Sequence, residues 1–269
     1  MKKLWALFFF TSLMGASYEA PWLGNPYEFE GDLEGALAYY HTINTSSGKL
    51  SYKDYQKLAR CSLECSLTEW QFILEASAAQ TKKENFNLTC GSFLLRYNVL
   101  NDVDGSSPVS LIVGFRGDFP KAQAIQDPGL LYSYYSQGEM QLSVGKEWIQ
   151  GPYWQWRLWL LGALGSGTRY SPWLKGKIGL ERNFHDLHRI GCYLLGQEGF
   201  GQSSFPGINT FVSYGPVAYR LSDIGFHYRY TFCYVGSLAI EYTMRLAARQ
   251  CPANRQVIAL TLNIPFSMI

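Results

Sequence analysis

The chain has 269 residues, a net charge of +2 at neutral pH and only 16% charged residues, well below the roughly 25% of an average domain. Aromatic residues are equally frequent at 16%. Near-neutral charge without a basic run excludes an electrostatic nucleic-acid binder. Beyond the N-terminus no stretch stays apolar for the ~18 residues that a membrane-spanning helix needs.

Lys2-Lys3, the apolar run Leu4 to Phe10 and the small residues Gly15-Ala16-Ser17 form a secretory signal peptide over residues 1–17, cut near Tyr18. An exported chain without helical spans that lives in a membrane must do so as a closed barrel. Residues 18–26, with Pro21 and Pro26 around Trp22, read as a short lead-in to a barrel over residues 27–269. Tyr27, Phe29, Leu33, Leu37 and Tyr39 alternate with Glu28, Glu30, Asp32 and Glu34. This is strand periodicity, with an acidic face that either lines a lumen or is a solvated edge. His41 to Lys53 reads as a loop.

Two alternating runs follow, Arg60 to Leu67 and Trp70 to Ala78, joined by a tight turn. Phe86 to Val99 changes parity, and a β-bulge at Gly91 would account for the change. Asn101 to Pro108 is turn chemistry. Val109 to Arg116 is a strand, Gly117 to Asp127 a loop, Leu130 to Tyr135 a further short strand, and Ser136-Gln137-Gly138 a turn. Met140 to Trp148 and Trp154 to Leu160 alternate again, and Trp148, Trp154 and Trp156 read as an aromatic girdle at a membrane–water boundary. Leu174 to Leu180 and Arg189 to Gly196 are strands, Gln197 to Gly207 a loop, and Ile208 to Leu221 a long strand bent at Pro216.

Phe226 to Leu246 is the clearest element. Large apolar residues occupy every second position on both sides of Val235-Gly236, and His227, Arg229, Glu241 and Arg245 lie on the other face. Such a hairpin suits a membrane barrel, apolar outward and polar inward, although a soluble sandwich can carry the same alternation. A three-residue loop Tyr234-Val235-Gly236 places Cys233 opposite Ser237, Arg229 opposite Glu241 as an ion pair, and His227 near Thr243. Cys251-Pro252 lies in the exit loop, and Ile258 to Phe266 is the last strand. Without Leu130 to Tyr135 the runs number about 13, whereas bacterial single-chain barrels have even counts. Accepting that run gives about 14; rejecting it and the acidic first run gives about 12. Fourteen is preferred, because it puts the Gly236 and Ser136-Gln137-Gly138 turns at one end. The expected fold is all-β, a closed antiparallel transmembrane barrel of about 12–14 strands.

The signal peptide, the repeated alternations and the final run Ile258 to Phe266 resemble bacterial outer-membrane β-barrel proteins over nearly the whole mature length. That resemblance implies outer-membrane lipid and the barrel-assembly machinery as partners, with residues 18–26 as a periplasmic lead-in. Such proteins usually end on an aromatic residue; here Ser267-Met268-Ile269 follow Phe266, a departure from the pattern. Cysteines at 61, 65, 90, 192, 233 and 251 resemble the cysteine-containing outer-membrane proteins of chlamydial type. This implies disulfide-linked envelope partners, for which Cys251 is the best-placed residue; small buried cysteines without a redox role are the alternative.

The inward parity gives a lumen lined by Glu28, Glu30, Arg60, Glu64, Glu75, Arg116, Arg157, Lys175, Lys177, His227, Arg229, Glu241 and Arg245. An open lumen makes the chain a passive channel or transporter for small solutes or lipophilic molecules. A lumen closed by ion pairs makes it a structural or surface-exposed envelope protein. No cofactor or metal pattern occurs, since there is no Cys-x-x-Cys. A lipid-modifying hydrolase needs a serine beside a histidine, and the nearest arrangement, His185-Asp186 with Ser171, carries no specific spacing.

Overall fold

The structure is a computed structural model that describes residues 19–151, 153–168, 171–232 and 236–267. The expected signal peptide lies outside the described residues, as do Cys233, Tyr234, Val235, Met268 and Ile269.

Twelve long strands form the wall. They are β1 (Glu28–Thr45), β2 (Gly48–Ser66), β3 (Trp70–Gln80), β4 (Asn87–Leu100) and β5 (Ser110–Pro120), then a single helical turn α1 (Ala122–Ile125), then β6 (Gln137–Gln150) and β7 (Tyr153–Gly167). The wall continues with β8 (Pro172–Phe184), β9 (His188–Gly199), β10 (Arg220–Phe232), β11 (Gly236–Arg249) and β12 (Gln256–Ser267). Each pairs antiparallel with its neighbour, and β1 closes the ring by pairing with both β2 (Phe29↔Cys65) and β12 (Phe29↔Phe266). Pro252–Ala253 adds a short ladder to the far end of β1. Both ends of the wall and the turns after β2, β4, β6, β8 and β10 share one end, here the turn end. The connections after β1, β3, β5, β7, β9 and β11 share the other, the loop end.

The exterior is apolar. Leu74 is 62% exposed, Met140 61% and Phe226 50%, and residues of this kind recur at alternate positions along every strand. With about 1.5–3 kcal/mol at stake for each such side chain, this surface is stable only against lipid. Among the described residues no helix is long and apolar enough to cross a membrane, so any crossing is by strands. Phe266 faces outward and stacks on Phe29 at 5.7 Å between ring centroids.

Several expectations are corrected. Leu130 to Tyr135 is not a strand, and neither are residues 208–219. Removing both from the expected runs yields the even count of twelve rather than fourteen. The acidic first run is a full strand, β1. His41 to Lys53 is not a loop, because β1 and β2 pair as far as Thr45↔Gly48. Ile43 (fully buried) and Tyr52 lock that extension against Phe205, Phe211, Tyr214 and Val217 of the β9–β10 connection. Gly117 to Asp127 is strand as far as Pro120, then α1. The β10–β11 register places Arg229 opposite Ala239 and His227 opposite Glu241. The turn is therefore one residue earlier than expected, which shifts every partner by two: the faces survive, but the Arg229–Glu241 ion pair and the His227–Thr243 neighbourhood do not.

Two bulges reassign side chains. In β4 the irregularity falls at Thr89, between Ser77↔Cys90 and Ala78↔Leu88, two residues before Gly91. Thr89 and Cys90 therefore both turn inward. In β7 a shift between Trp148↔Trp156 and Ile149↔Trp154 turns Trp154 inward at 9% exposure. Only Trp148 and Trp156 remain in the outward girdle.

Candidate functional site

The interior combines charge with inserted chain. The expected lead-in does not hang below the barrel; it crosses the lumen as a strap. Pro21 and Pro26 keep it out of the sheet, and it enters β1 through Tyr27, whose N–H donates to the Ser66 carbonyl at 2.7 Å. The Glu19 carboxylate bridges Lys175 (2.5 Å) and Lys177 (2.6 Å) of β8. Burial opposes its ionisation, but the two ammonium groups hold its carboxyl well below the usual range. The Ser143 hydroxyl donates to the Glu19 carbonyl at 2.8 Å, and Arg96 donates to the Ala20 carbonyl. Pro21 and Trp22 lie over Gly145, where a Cβ would meet them at 2.6 and 2.9 Å. The Trp22 indole donates to Asp102 at 3.1 Å, and the Arg157 guanidinium sits 4.6 Å above its ring.

Either side of the strap lies a cavity of about 190 Å³. The one toward the turn end is lined by Trp22, Gly24, Glu30, Glu64, Arg229 and Glu241, among others. The one toward the loop end includes Glu19, Glu75, Arg116, Tyr132 and Lys175. The loop mouth above it is filled by folded-in connections. Leu130, Tyr132, Ala124 and Ile125 pack beneath β1, β2 and β12, and the Tyr214 hydroxyl ties the β9–β10 connection to the Pro128 carbonyl at 2.7 Å. Asp127 accepts from the Thr81 hydroxyl and the Gly129 amide, yet burial still lifts its carboxyl above the ordinary range.

Every residue expected on the inward face lies there. Glu28 accepts from Asn25 at 2.8 Å at the rim, and Glu30 accepts from Asn263 at 2.9 Å. A chain of ion pairs runs Glu34–Arg60–Glu75–Arg116–Asp118, with Arg60–Glu75 at 3.3 Å and Arg116–Asp118 at 2.8 Å. Glu64 accepts from Ser66 at 3.2 Å and from Gln71. Arg157 donates to Glu147 at 2.5 Å. Lys177 lies 3.9 Å from the centroid of the Tyr193 ring, whose hydroxyl donates to Glu241 at 2.6 Å. Arg245 is locked to Asp223 at 2.7 and 3.0 Å. His227 and Arg229 line the turn-end cavity.

Glu147, Glu139 and Arg189 sit on the same inward parity and were readable from their strands. Glu19 and Asp102 lie outside any alternation, so periodicity carried no signal for them.

Placement also bears on the hydrolase arrangement set aside above and on the cysteine singled out for disulfide linkage. Ser171 and His185 lie beyond opposite ends of β8, roughly 40 Å apart along the strand. Cys251 has no exposed surface; its thiol donates to the Arg220 carbonyl at 3.4 Å, and burial pushes its pKa up to about 11. A buried, protonated thiol is closed to a partner's cysteine. Cys61, Cys65 and Cys192 lie on the outward face, and among the described residues Cys61, Cys65, Cys90, Cys192 and Cys251 are free.

No family model matches the sequence, and no curated protein does. Solved structures do. The chain is similar to an outer membrane channel from Pseudomonas putida F1, with 10% identity over 95% of this chain and all of that one and a TM-score of 0.62. It is also similar to the NanC porin, with 7% identity over 87% and 98% of the two chains and a TM-score of 0.59. A third likeness is to the translocator domain of the autotransporter NalP from Neisseria meningitidis, with 7% identity over 90% and 88% and a TM-score of 0.50. At these identities the shared property is the fold, the closed barrel of outer-membrane proteins.

Proposed function

We propose that this chain is an outer-membrane channel for small polar solutes, closed in the present conformation by its own N-terminal strap and by folded-in loops. The observation that carries this reading is the lumen itself. It is a charged interior inside an apolar shell, divided by one thin segment into two solvent-sized cavities. A barrel built only for rigidity has no need of lumen charge beyond its pairs, whereas a passage does. The lumen walls lean to opposite signs: β1 and β2 contribute Glu30, Asp32, Glu34 and Glu64 against Arg60, while β8, β9 and β10, on the opposite arc of the ring, contribute Lys175, Lys177, Arg189 and Arg229 against Glu181 and Asp223. Structural likeness to an outer membrane channel and a porin supports the reading. The test is reconstitution of the mature chain in a planar bilayer. Stable conductance steps are expected, small in the intact chain and larger when residues 18–26 are deleted. An inserted, folded protein silent in both forms overturns the reading.

The filled lumen favours one alternative, an envelope protein whose strap never leaves. Under it, deletion of residues 18–26 lowers stability and changes no current.

A further inference from the structure

Arg189 on β9 and Arg229 on β10 are direct partners across the ladder, and both side chains line the turn-end cavity. Like charges directly opposite in an antiparallel pair repel, so such a pair asks for a neutralising group. Four other arginines of this lumen have theirs: Arg60 with Glu34 and Glu75, Arg116 with Glu75 and Asp118, Arg157 with Glu147, Arg245 with Asp223; Arg96 and Arg255 instead donate hydrogen bonds to Gln71 and Gln56. Arg189 and Arg229 have neither a hydrogen bond nor an ion pair among the described residues. Arg189 rests only on the Trp154 ring, at 5.3 Å, and its Nε is buried without a partner.

A third orphan lies beside them. His227 Nδ1 is buried without a partner. Its ring occupies the space over Gly191, where any Cβ would collide with it, and Gly191 is its strand partner. The row then continues from Arg229 to Ala239 and Thr261. These side chains are small, so the space beside the guanidinium stays open. The nearby carboxylates stand off: neither Glu181 nor Glu241 comes within ion-pair distance of Arg189 or Arg229, and Glu181 instead accepts from Trp159 at 3.1 Å and Glu241 from Tyr193 at 2.6 Å. Across the cavity Glu30, Asp32 and Glu64 repel an anion from the far wall.

We infer that Arg189 and Arg229, with His227 as a third donor, form a binding site for an oxyanion, the carboxylate or phosphate group of a small solute in the lumen. The inference rests on the channel reading and names the chemistry of what that channel takes. Two guanidinium forks on adjacent strands suit both planar and tetrahedral oxyanions, because each offers paired N–H donors in a fixed plane. Residues Trp154 and Trp22 place fluorophores at the site.

The test uses the mature chain refolded in detergent, with inorganic phosphate and succinate as separate probes, read by tryptophan fluorescence and calorimetry. Saturable binding of at least one probe is expected. Arg189→Gln with Arg229→Gln should weaken it on the order of tenfold or more, as loss of charge-assisted bonds implies, whereas Arg182→Gln, on the outer face, should leave it unchanged. Binding of phosphate alone assigns a tetrahedral group, and of succinate alone a carboxylate; either supports the site. The absence of saturable binding for both probes overturns it, as does equal affinity in the double variant. Heat-dependent gel mobility reports folding, and if the double variant does not fold, Arg229→Gln alone is read in its place. Binding without conductance in a bilayer overturns the channel reading only; conductance without binding overturns the oxyanion site only.

Discussion

Glu19 is one carboxylate between two ammonium groups, and removing its charge leaves Lys177 without an ion-pair partner and Lys175 with only the longer contact to Glu139 at 3.7 Å. Breaking a buried pair in this way typically costs about 3–5 kcal/mol. Glu19→Gln is therefore expected to release the strap and raise single-channel conductance while the barrel stays heat-resistant on gels. A current identical to that of the parent would show that the strap is held by packing instead. Gly145→Ala tests the same joint without touching charge, because the new Cβ meets Pro21 at 2.6 Å, Trp22 at 2.9 Å and the Leu158 carbonyl at 2.9 Å. It too is expected to raise conductance. Asp127 has the opposite titration from Glu19. Its folded pKa is raised, so its contribution to the loop-end seal is complete below the unfolded value and fades as pH rises through the folded one. The Glu19 pKa is depressed, so its anchoring is present above the ordinary carboxylate range and is lost only as pH falls through the lowered value. Conductance should accordingly grow with rising pH, and Asp127→Asn should flatten that dependence.

At the scale of the element, strands with one lipid face and one wet face were legible because a period of two survives any local error. The β10–β11 register shows this, since a slip of two residues moved every partner yet left every face intact. Errors cluster where apolar residues bury against inserted chain rather than lipid. Residues 208–219 look like strand because Phe211, Val217 and Tyr219 are the residues a strand would use; here they form an interior cluster with Tyr214, which is 1% exposed. Length misled as well: β1 and β2, at 18 and 19 residues, exceed the roughly 10 a bilayer needs, and their surplus rises as a flap against that cluster. Bulges at Thr89 and near Gln155 changed the face of Cys90 and Trp154 and left no signal except a parity break. Tyr214→Ala should loosen the loop-end seal, with a loss of about 3–5 kcal/mol by analogy with other buried aromatics. Raised conductance together with faster proteolysis between residues 200 and 219 is the expected readout.

For the whole molecule, the governing fact is an inverted distribution of polarity, with charge inside a ring that hydrogen-bonding closes on itself. No sheet edge remains open among the described strands, so unfolding must break a seam such as β1–β12 all at once. The inward face of each strand was legible from its alternation, although Glu139, Glu147, Arg189 and Asp223 on that face were passed over, whereas the obstruction was not legible, because it is made by segments that carry no periodicity. The strap also has a property of its own. It joins β1 through a single residue, Tyr27, so once lifted from Lys175 and Lys177 it cannot diffuse away. It is a ligand on a short tether, rebinding at an effective concentration in the millimolar range. On the channel reading proposed above, a free anion competing for those two lysines must match that concentration, so opening is graded by how much solute presses on the lumen, and closure needs no second messenger.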